Sequence, residues 1–231
     1  MEERAATFAA TTTWEFTGTT LPTGLAASDY HVGTSGAPLS HTFKSSNVVV
    51  ADGALKLVVP GGQEGQSDIS SAEVATTFKT LYGSIKVEAI MTEVGGVCNG
   101  LFFYQSDQQE SDIEWISAKS SHSNTDSPSG QRELQYTNQA TAAGGKATHF
   151  YGTAPADVTS AYHEYRIDWT SNSTEYYLDG VLQRTMTTNV ASVASAFVLN
   201  NWVNGDPSWT LGPPTTDGVL QIRKVTLAYN P

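Results

Sequence analysis

Short runs in which apolar and polar residues alternate recur along the chain, and turn-forming residues separate them. In residues 82–91 the apolar Ile85, Val87, Ala89 and Met91 occupy alternate positions, so they would share one face of a strand. The chain shows no heptad, no internal repeat and no convincing helical periodicity. This pattern predicts an all-β fold, a two-sheet antiparallel β-sandwich.

Two further segments strengthen that prediction. Residues 174–185 form two alternating runs around Asp179 and Gly180, and Asp-Gly supplies the positive φ that a two-residue hairpin turn requires. Residues 55–59 end at a Pro-Gly-Gly stop, and residues 219–229 are long enough for a closing strand.

The 231 residues show no linker and no shift in composition, so we predict a single domain, 1–231. Residues 1–13 are expected to be a loosely ordered or non-native start. Residues 119–130 form a Ser-rich loop. We predict a monomer.

Composition excludes some partners. The net charge of −11 disfavours nucleic acid, whose phosphates require a basic surface. The absence of an 18-residue apolar run predicts no membrane span. Cys98 is the one cysteine, so no intrachain disulfide can form; we expect it to be buried rather than a catalytic thiol.

Residues 109–116, Gln-Glu-Ser-Asp-Ile-Glu-Trp-Ile, place three carboxylates at alternate positions, Glu110, Asp112 and Glu114. On a strand these acids share one face, while Ile113 and Trp115 point to the other. Clustered acids repel one another unless one holds a proton, and two carboxylates with separated pKa values are the machinery of glycoside hydrolysis. The alternative interpretation is an ordinary solvated strand face.

Other segments reduce the weight of that alternative, because together with the acids they resemble glycoside hydrolase family 16, the laminarinase, lichenase and transglycosylase group. The matching segments run in order from about residue 71 to the C-terminus: Ser71-Ala72-Glu73, residues 82–88, Glu110-Ser111-Asp112-Ile113-Glu114, residues 162–169, residues 176–182, and residues 200–205 with Ser208-Trp209. The resemblance implies a jelly-roll, concanavalin A-like sandwich with a concave substrate cleft.

The resemblance also implies roles. Glu110 would be the nucleophile, Glu114 the acid/base and Asp112 the residue that orients Glu110. Laminarinase-type members carry an extra residue before the last Glu. Its absence here places the chain nearer the lichenase, transglycosylase and fungal-wall branches, and we expect a fungal-like member.

Candidate substrate-binding residues follow from shared strand faces and from the resemblance. They are Glu73, Phe102, Tyr104, Gln135, Asn200, Trp202 and Trp209. Gln135 would contact the sugar near the nucleophile, and the tryptophans would stack on sugar rings or wall the groove. For the aromatic residues the alternative is packing, and for Glu73 it is a solvated strand acid.

Three departures from the family pattern bear on specificity. Lichenase-type members carry Arg and Trp where this chain has Ala75 and Gln108, so we expect a less closed glycone side and a broader substrate range. Many members bind Ca²⁺ through an Asp at the position of Arg223, which cannot ligate a cation. We expect no metal and no cofactor.

Three functions are therefore weighed. The first is a retaining endo-acting hydrolase of β-1,3- or mixed β-1,3/1,4-glucan, with a polysaccharide or oligosaccharide as its substrate. The second is a transglycosylase of cell-wall β-glucan, xyloglucan or chitin. The third is a lectin-like carbohydrate-binding protein, which would have no use for clustered acids. We expect a secreted protein whose signal peptide has been removed, and the glycosylation sequon at Asn172 is compatible with secretion.

Overall fold

A computed structural model describes residues 8–231. Residues 1–7, part of the start expected to be loosely ordered, lie outside the described residues. In the described part, the strands are β1 (Ala10–Glu15), β2 (Leu25–Ala27), β3 (Tyr30–Val32), β4 (Ser40–Phe43), β5 (Val48–Ala51), β6 (Ala54–Val59), β7 (Asp68–Thr76), β8 (Gly83–Ile90), β9 (Cys98–Ser106), β10 (Gln109–Ile116), β11 (Leu134–Asn138), β12 (Thr148–Gly152), β13 (His163–Trp169), β14 (Thr174–Leu178), β15 (Val181–Met186), β16 (Ala196–Trp202) and β17 (Gly218–Tyr229).

These strands form two sheets packed face to face, which confirms the predicted two-sheet β-sandwich. The back sheet has the order β15-β14-β13-β8-β17-β6-β5, with β1 paired to β17. The cleft sheet has the order β12-β11-β10-β9-β16-β7-β4-β3, with β2 paired to β7. Paired strands are antiparallel except β4 and β7, which run parallel.

The core lies between the sheets and takes one face of each strand. In β8 the predicted apolar face is buried, and Ile85, Val87 and Ala89 are each at most 1% exposed. The largest fully buried side chains are aromatic and come from both sheets: Trp115, Trp169, Tyr136, Tyr165 and Tyr176. Removing this apolar area from water supplies most of the drive to fold.

The hairpin turn predicted from the sequence is also present in the structure. The β14–β15 hairpin turns at Asp179 and Gly180, whose φ angles are 49° and 76°, as its Asp-Gly pair predicts. Within the start expected to be loosely ordered, residues 10–13 belong to β1, which begins at Ala10 and pairs along its length with β17. Trp14 on that strand is 2% exposed, so burial of its indole explains the ordered pairing.

The Ser-rich loop at residues 119–130 contains one helical turn, His122–Thr125, which we call α1. The backbone N–H groups of His122 and Ser123 donate hydrogen bonds to the carbonyls of Pro207 and Ser208, both at 3.1 Å. These bonds fix the loop against the segment that carries Trp209. None of the helices described in residues 8–231 is long and apolar enough to cross a membrane.

Candidate active site

Strand β10 presents its three acids on one face and its apolar residues on the other, as the alternation predicts. Ile113 and Trp115 are each 1% exposed in the core, and the Trp115 indole donates to the Thr92 carbonyl at 2.8 Å. The acids Glu110 and Glu114 line the same cleft on the opposite face. A core-anchored strand therefore holds both carboxylates in one rigid frame.

A β-bulge lies beside Glu110. The pairing of β10 with β9 shifts register between Gln109 and Glu110, so that Gln109 pairs with Ser106 and Glu110 pairs with Tyr104. A bulge bends a strand and increases its twist, which re-aims the side chains beside it. The extra residue is Gln105 on β9, and the register from Glu110 to Glu114 is regular, so the bulge marks the start of the acidic segment.

The cleft has a volume of about 870 Å³ and crosses the strands of its sheet rather than following one of them. Its walls come from β3, β4, β7, β16, β9 and β10. Among the predicted site residues, those that line it are Glu73, Phe102, Tyr104, Glu110, Glu114, Asn200 and Trp202.

Burial raises the pKa of both glutamates, and the rise is larger for Glu114 than for Glu110. Loss of hydration raises the pKa of Glu110 to about 7; the hydrogen bond that it shares with Asp112 opposes this rise. Burial, followed by repulsion from Glu110, raises the pKa of Glu114 to about 8. Glu114 therefore retains its proton after Glu110 has lost its own, which is the order that a nucleophile and an acid require.

Asp112 lies beneath the two glutamates and is 1% exposed. Burial is the main reason that its pKa is raised well above the usual value, and repulsion by Glu110 and Glu114 adds to it. Gln139 donates from Nε2 to Oδ2 of Asp112 at 3.1 Å, while no N–H or hydroxyl group among the described residues donates to Oδ1. A protonated Asp112 can use that oxygen to donate to Glu110 and so hold the carboxylate in place.

Cys98 is buried, as predicted, but at an unexpected position beside the catalytic strand. Its Sγ donates to Oε1 of Glu114 at 3.4 Å, and the indole of Trp209 approaches the same sulfur. Burial raises the pKa of the thiol well above its ordinary value, and the nearby Glu114 adds to the rise. Cys98 is thus a neutral hydrogen-bond donor rather than a thiolate nucleophile.

Glu73 is part of the cleft wall and is 6% exposed, so the solvated-acid interpretation is wrong. Its carboxylate accepts hydrogen bonds from Ser28 Oγ at 2.7 Å, Tyr30 Oη at 3.0 Å and Asn200 Nδ2 at 3.5 Å. Burial raises its pKa despite these three bonds. Oδ1 of Asn200 is buried and has no hydrogen-bond partner among the described residues.

Aromatic side chains form the rest of the wall. Phe102 and Tyr104 meet edge to face with ring centroids 6.0 Å apart, and the Tyr104 hydroxyl donates to Asp107 at 2.9 Å. Trp202 packs on His41 with centroids 5.1 Å apart. Burial lowers the pKa of His41 to about 4, so its ring is neutral at neutral pH.

Gln135 and Trp209 lie outside the cleft wall. Gln135 pairs across the sheet with Glu114 rather than with Glu110, the predicted nucleophile. It is 1% exposed and its amide is occupied, since Nε2 donates to Ser123 Oγ at 2.6 Å and Oε1 lies 3.1 Å from His149 Nε2. Trp209 is instead adjacent to Cys98, on the side of Glu114.

The fold brings to the site five residues that are not among the candidates predicted from the sequence: Tyr30, His41, Cys98, Asp107 and Gln139. The motifs that carry the resemblance begin near residue 71, so they gave no signal for Tyr30 or His41. Cys98, Asp107 and Gln139 lie just before or after matched strands, and their local sequence pattern does not indicate which residues their side chains contact.

Among residues 8–231, no group of three or more His, Cys, Asp or Glu side chains is placed to hold a cation. Arg223 on the back sheet donates from Nε to Oε2 of Glu88 at 2.5 Å and packs its guanidinium over the ring of Tyr162.

Sequence comparison places the chain among the glycoside hydrolases. The profile of the family described as "Glycosyl hydrolases family 16" matches residues 36–212, and the chain belongs to that family.

The relatives are distant. The chain is 25% identical to a beta-glucanase of Paenibacillus polymyxa, over 76% of this chain and 70% of that protein. It is 23% identical to a beta-glucanase of Bacillus amyloliquefaciens, over 70% of this chain and 64% of that protein. It is 24% identical to Congo red hypersensitive protein 1 of Saccharomyces cerevisiae, over 59% of this chain and 26% of that protein.

Solved structures share the fold. The beta-glucanase of Bacillus licheniformis superposes with a TM-score of 0.75 at 19% identity, covering 95% of this chain and 98% of that one. The laminarinase catalytic domain of Thermotoga maritima superposes with a TM-score of 0.76 at 18% identity, covering 96% of this chain and 98% of that one. The similarity extends over almost the whole sandwich.

Proposed function

We propose that the protein is a retaining, endo-acting β-glucan hydrolase in which Glu110 is the nucleophile and Glu114 the acid/base. The observation that carries the proposal is the pair of glutamates on one strand face, lining one cleft, with the higher pKa on Glu114. A retaining hydrolase needs one ionised and one protonated carboxyl on opposite sides of the same bond.

The reaction follows from these protonation states. Glu110 attacks the anomeric carbon while Glu114 transfers its proton to the glycosidic oxygen, and the bond between that carbon and oxygen breaks. A glycosyl ester of Glu110 remains. Ionised Glu114 then takes a proton from water, the water oxygen attacks the anomeric carbon, and the ester bond breaks to release Glu110.

The substrate class rests on the shape and lining of the cleft. A cleft that crosses several strands accepts the interior of a polymer, which fits endo-cleavage. Its wall combines Phe102, Tyr104 and Trp202 with the acceptor groups of Glu73 and Asn200, a mixture that suits neutral sugars. The beta-glucanase names of the bacterial relatives support a β-glucan.

The linkage that we propose is β-1,3 or mixed β-1,3/1,4, with a broader range than a strict lichenase. Ala75 on β7 and the exposed Gln108 in the β9–β10 turn carry neither of the large side chains that lichenase-type members have at these positions. The glycone side therefore loses stacking and bidentate contacts, and discrimination between linkages weakens with them.

Release of reducing ends from laminarin, lichenan, xyloglucan and a chitin oligomer tests the proposal. We expect laminarin and lichenan to be cleaved, and Glu110→Gln and Glu114→Gln to lower turnover by more than about 10³-fold and 10²-fold. Glu64→Gln, a change at an exposed acid outside the cleft, is the matched control and should leave turnover unchanged.

Each other outcome has a clear meaning. Turnover by folded Glu110→Gln at the normal rate would exclude this residue as the nucleophile. Glycosyl transfer without release of reducing ends would identify a transglycosylase, and binding without either product would identify a lectin-like protein. Secretion, a fungal-like origin and a monomeric state stay predictions.

A further inference from the structure

The residues on either side of Glu110 are both held by side-chain hydrogen bonds. Oε1 of Gln109 accepts a hydrogen bond from the backbone N–H of Ser192 at 2.7 Å. Oγ of Ser111 donates to Oδ1 of Asn138 at 2.9 Å. These bonds lie where the pairing of β10 with β9 shifts register, between Gln109 and Glu110. They therefore fix the backbone of Glu110 at a point where the ladder to β9 is interrupted.

Asn138 is the centre of a buried polar cluster behind Glu110. It has no exposure to solvent, and it pairs with Ser111 across β10 and β11. Its Oδ1 also accepts a hydrogen bond from the Tyr176 hydroxyl at 2.7 Å, and its Nδ2 donates to the Thr188 carbonyl at 3.1 Å. An amide that is bonded at both ends is held in one orientation.

Tyr176 reaches this cluster from the other sheet. It lies on β14 of the back sheet and is fully buried, and its ring packs on Tyr136 of β11 with centroids 5.1 Å apart. Its hydroxyl also donates to the carbonyl of Thr137 at 2.8 Å, and Thr137 is the residue that pairs with Asp112. One hydroxyl thus ties the back sheet to β11 beside the acidic segment of β10.

A second buried tyrosine provides a contrast. Tyr165 lies on β13, the neighbouring strand of the same sheet, and is 1% exposed, but its hydroxyl has no hydrogen-bond partner among the described residues. Loss of that hydroxyl leaves no protein group unpaired. Loss of the Tyr176 hydroxyl takes a donor away from buried oxygens, and such oxygens move to find a new partner or carry an uncompensated cost of burial.

We propose that the Tyr176 hydroxyl is a positioning group for Glu110 that acts from the opposite sheet through Asn138 and Ser111. The inference rests on the proposed function, in which Glu110 is the nucleophile. Attack requires the reacting atoms to be held about 3–3.5 Å apart, and a displacement of about 1 Å can cost about 10²-fold in rate. A shift of β10 at Ser111 therefore slows attack and leaves the aromatic wall of the cleft unchanged.

The test follows formation of the bond to Glu110. In a 2-deoxy-2-fluoro-β-glycosyl fluoride of a gluco-oligosaccharide, the carboxylate oxygen bonds to the anomeric carbon, the carbon–fluorine bond at that carbon breaks, and fluoride leaves as the anion. The 2-fluoro group slows hydrolysis of the ester, so mass spectrometry can measure the rate of labelling and the final labelled fraction. A positioning defect lowers the rate and leaves final labelling complete, whereas partial unfolding lowers the final fraction.

Tyr176→Phe should lower the rate constant of labelling and the kcat for glucan by the same factor, about 5- to 20-fold, with KM within about twofold of wild type. Tyr165→Phe, which removes a similarly buried hydroxyl, is the matched control and should leave both rates within about twofold of wild type. Glu114→Gln should still be labelled while its turnover of glucan is lost, because fluoride leaves without a proton.

Ser111→Ala removes the other hydroxyl that donates to Oδ1 of Asn138. It should slow labelling by a smaller factor, about 2- to 5-fold. The double variant with Tyr176→Phe should lose less than the product of the two single losses, because both hydroxyls act on the same amide. A loss equal to that product would contradict an action through Asn138.

Tyr176→Phe that is labelled at the rate of Tyr165→Phe would overturn the proposal, and so would a normal rate with a reduced final fraction. If Tyr176→Phe does not fold, Ser111→Ala decides, and labelling of that variant at the wild-type rate would overturn the proposal. Wild-type protein that acquires no label on Glu110 would instead contradict the proposed function.

Discussion

The thiol of Cys98 donates a hydrogen bond to Oε1 of Glu114 across 3.4 Å, from a position with no exposure to solvent. A hydrogen bond to the ionised carboxylate favours ionisation and therefore lowers the pKa of Glu114, against the larger effect of burial. The sulfur thus contributes to the pH at which Glu114 loses its proton.

Substitution of Cys98 should move the basic limb of the pH–rate profile. In the wild-type enzyme we expect kcat/KM to fall below about pH 7, as Glu110 gains a proton, and above about pH 8, as Glu114 loses its own. Cys98→Val removes the donor and should move the upper limb to higher pH by about 0.5 unit. Cys98→Ser keeps a donor and should leave it in place or lower it. Identical upper limbs in all three proteins would show that the thiol has no such role.

The raised pKa of Glu114 also predicts a cost in stability at alkaline pH. Burial holds the folded-state pKa near 8, above the ordinary value of 4.5, so the folded protein binds more protons than the unfolded chain between these values. The contribution of this group is fully present below about pH 4.5 and is lost as the pH rises through the folded-state pKa.

Glu114→Gln removes that dependence, because the amide does not titrate. Its melting temperature should exceed that of the wild type at pH 8 by several degrees, and the difference should shrink towards pH 4.5. Thermal unfolding at both values, with Glu64→Gln as control, measures the effect. A difference that is constant with pH would contradict the raised pKa.

Much of this site could be predicted from local pattern. Alternation in residues 109–116 was sufficient to place the three acids on one face, because the side-chain period of a strand is two whatever its neighbours are. The same alternation correctly predicted that Ile113 and Trp115 are buried, and the Asp-Gly pair indicated the β14–β15 turn.

Partners across the sheet could not be predicted in this way. The position of Gln135 depends on the register of β11 against β10, and a register shift of four residues separates pairing with Glu110 from pairing with Glu114. Tyr30 comes from a three-residue strand with too little periodicity to recognise. Gln139 reaches Asp112 only because β11 ends beside it, which is a property of the folded chain.

Gln139 provides a separate test of the acid cluster. Gln139→Leu removes the hydrogen bond that favours ionised Asp112, so the pKa of Asp112 should rise further. We expect kcat to fall by about tenfold, because Asp112 also loses the hydrogen bond that fixes its orientation beneath Glu110. Gln131→Leu, a change at an exposed loop glutamine, should have no effect in the same kinetic assay. Equal rates for both variants would mean that Gln139 does not support the reaction.

The most direct test of Glu110 and Glu114 as a retaining pair is the anomeric configuration of the first product. Proton NMR of the anomeric signals, recorded within the first minutes of cleavage of laminarin or lichenan, reports it before mutarotation mixes the forms. A double displacement through a glycosyl ester of Glu110 predicts that the β-anomer appears first and that the α-anomer grows in later. An α-anomer as the initial product would show that water attacks directly, and Glu110 would not be the nucleophile.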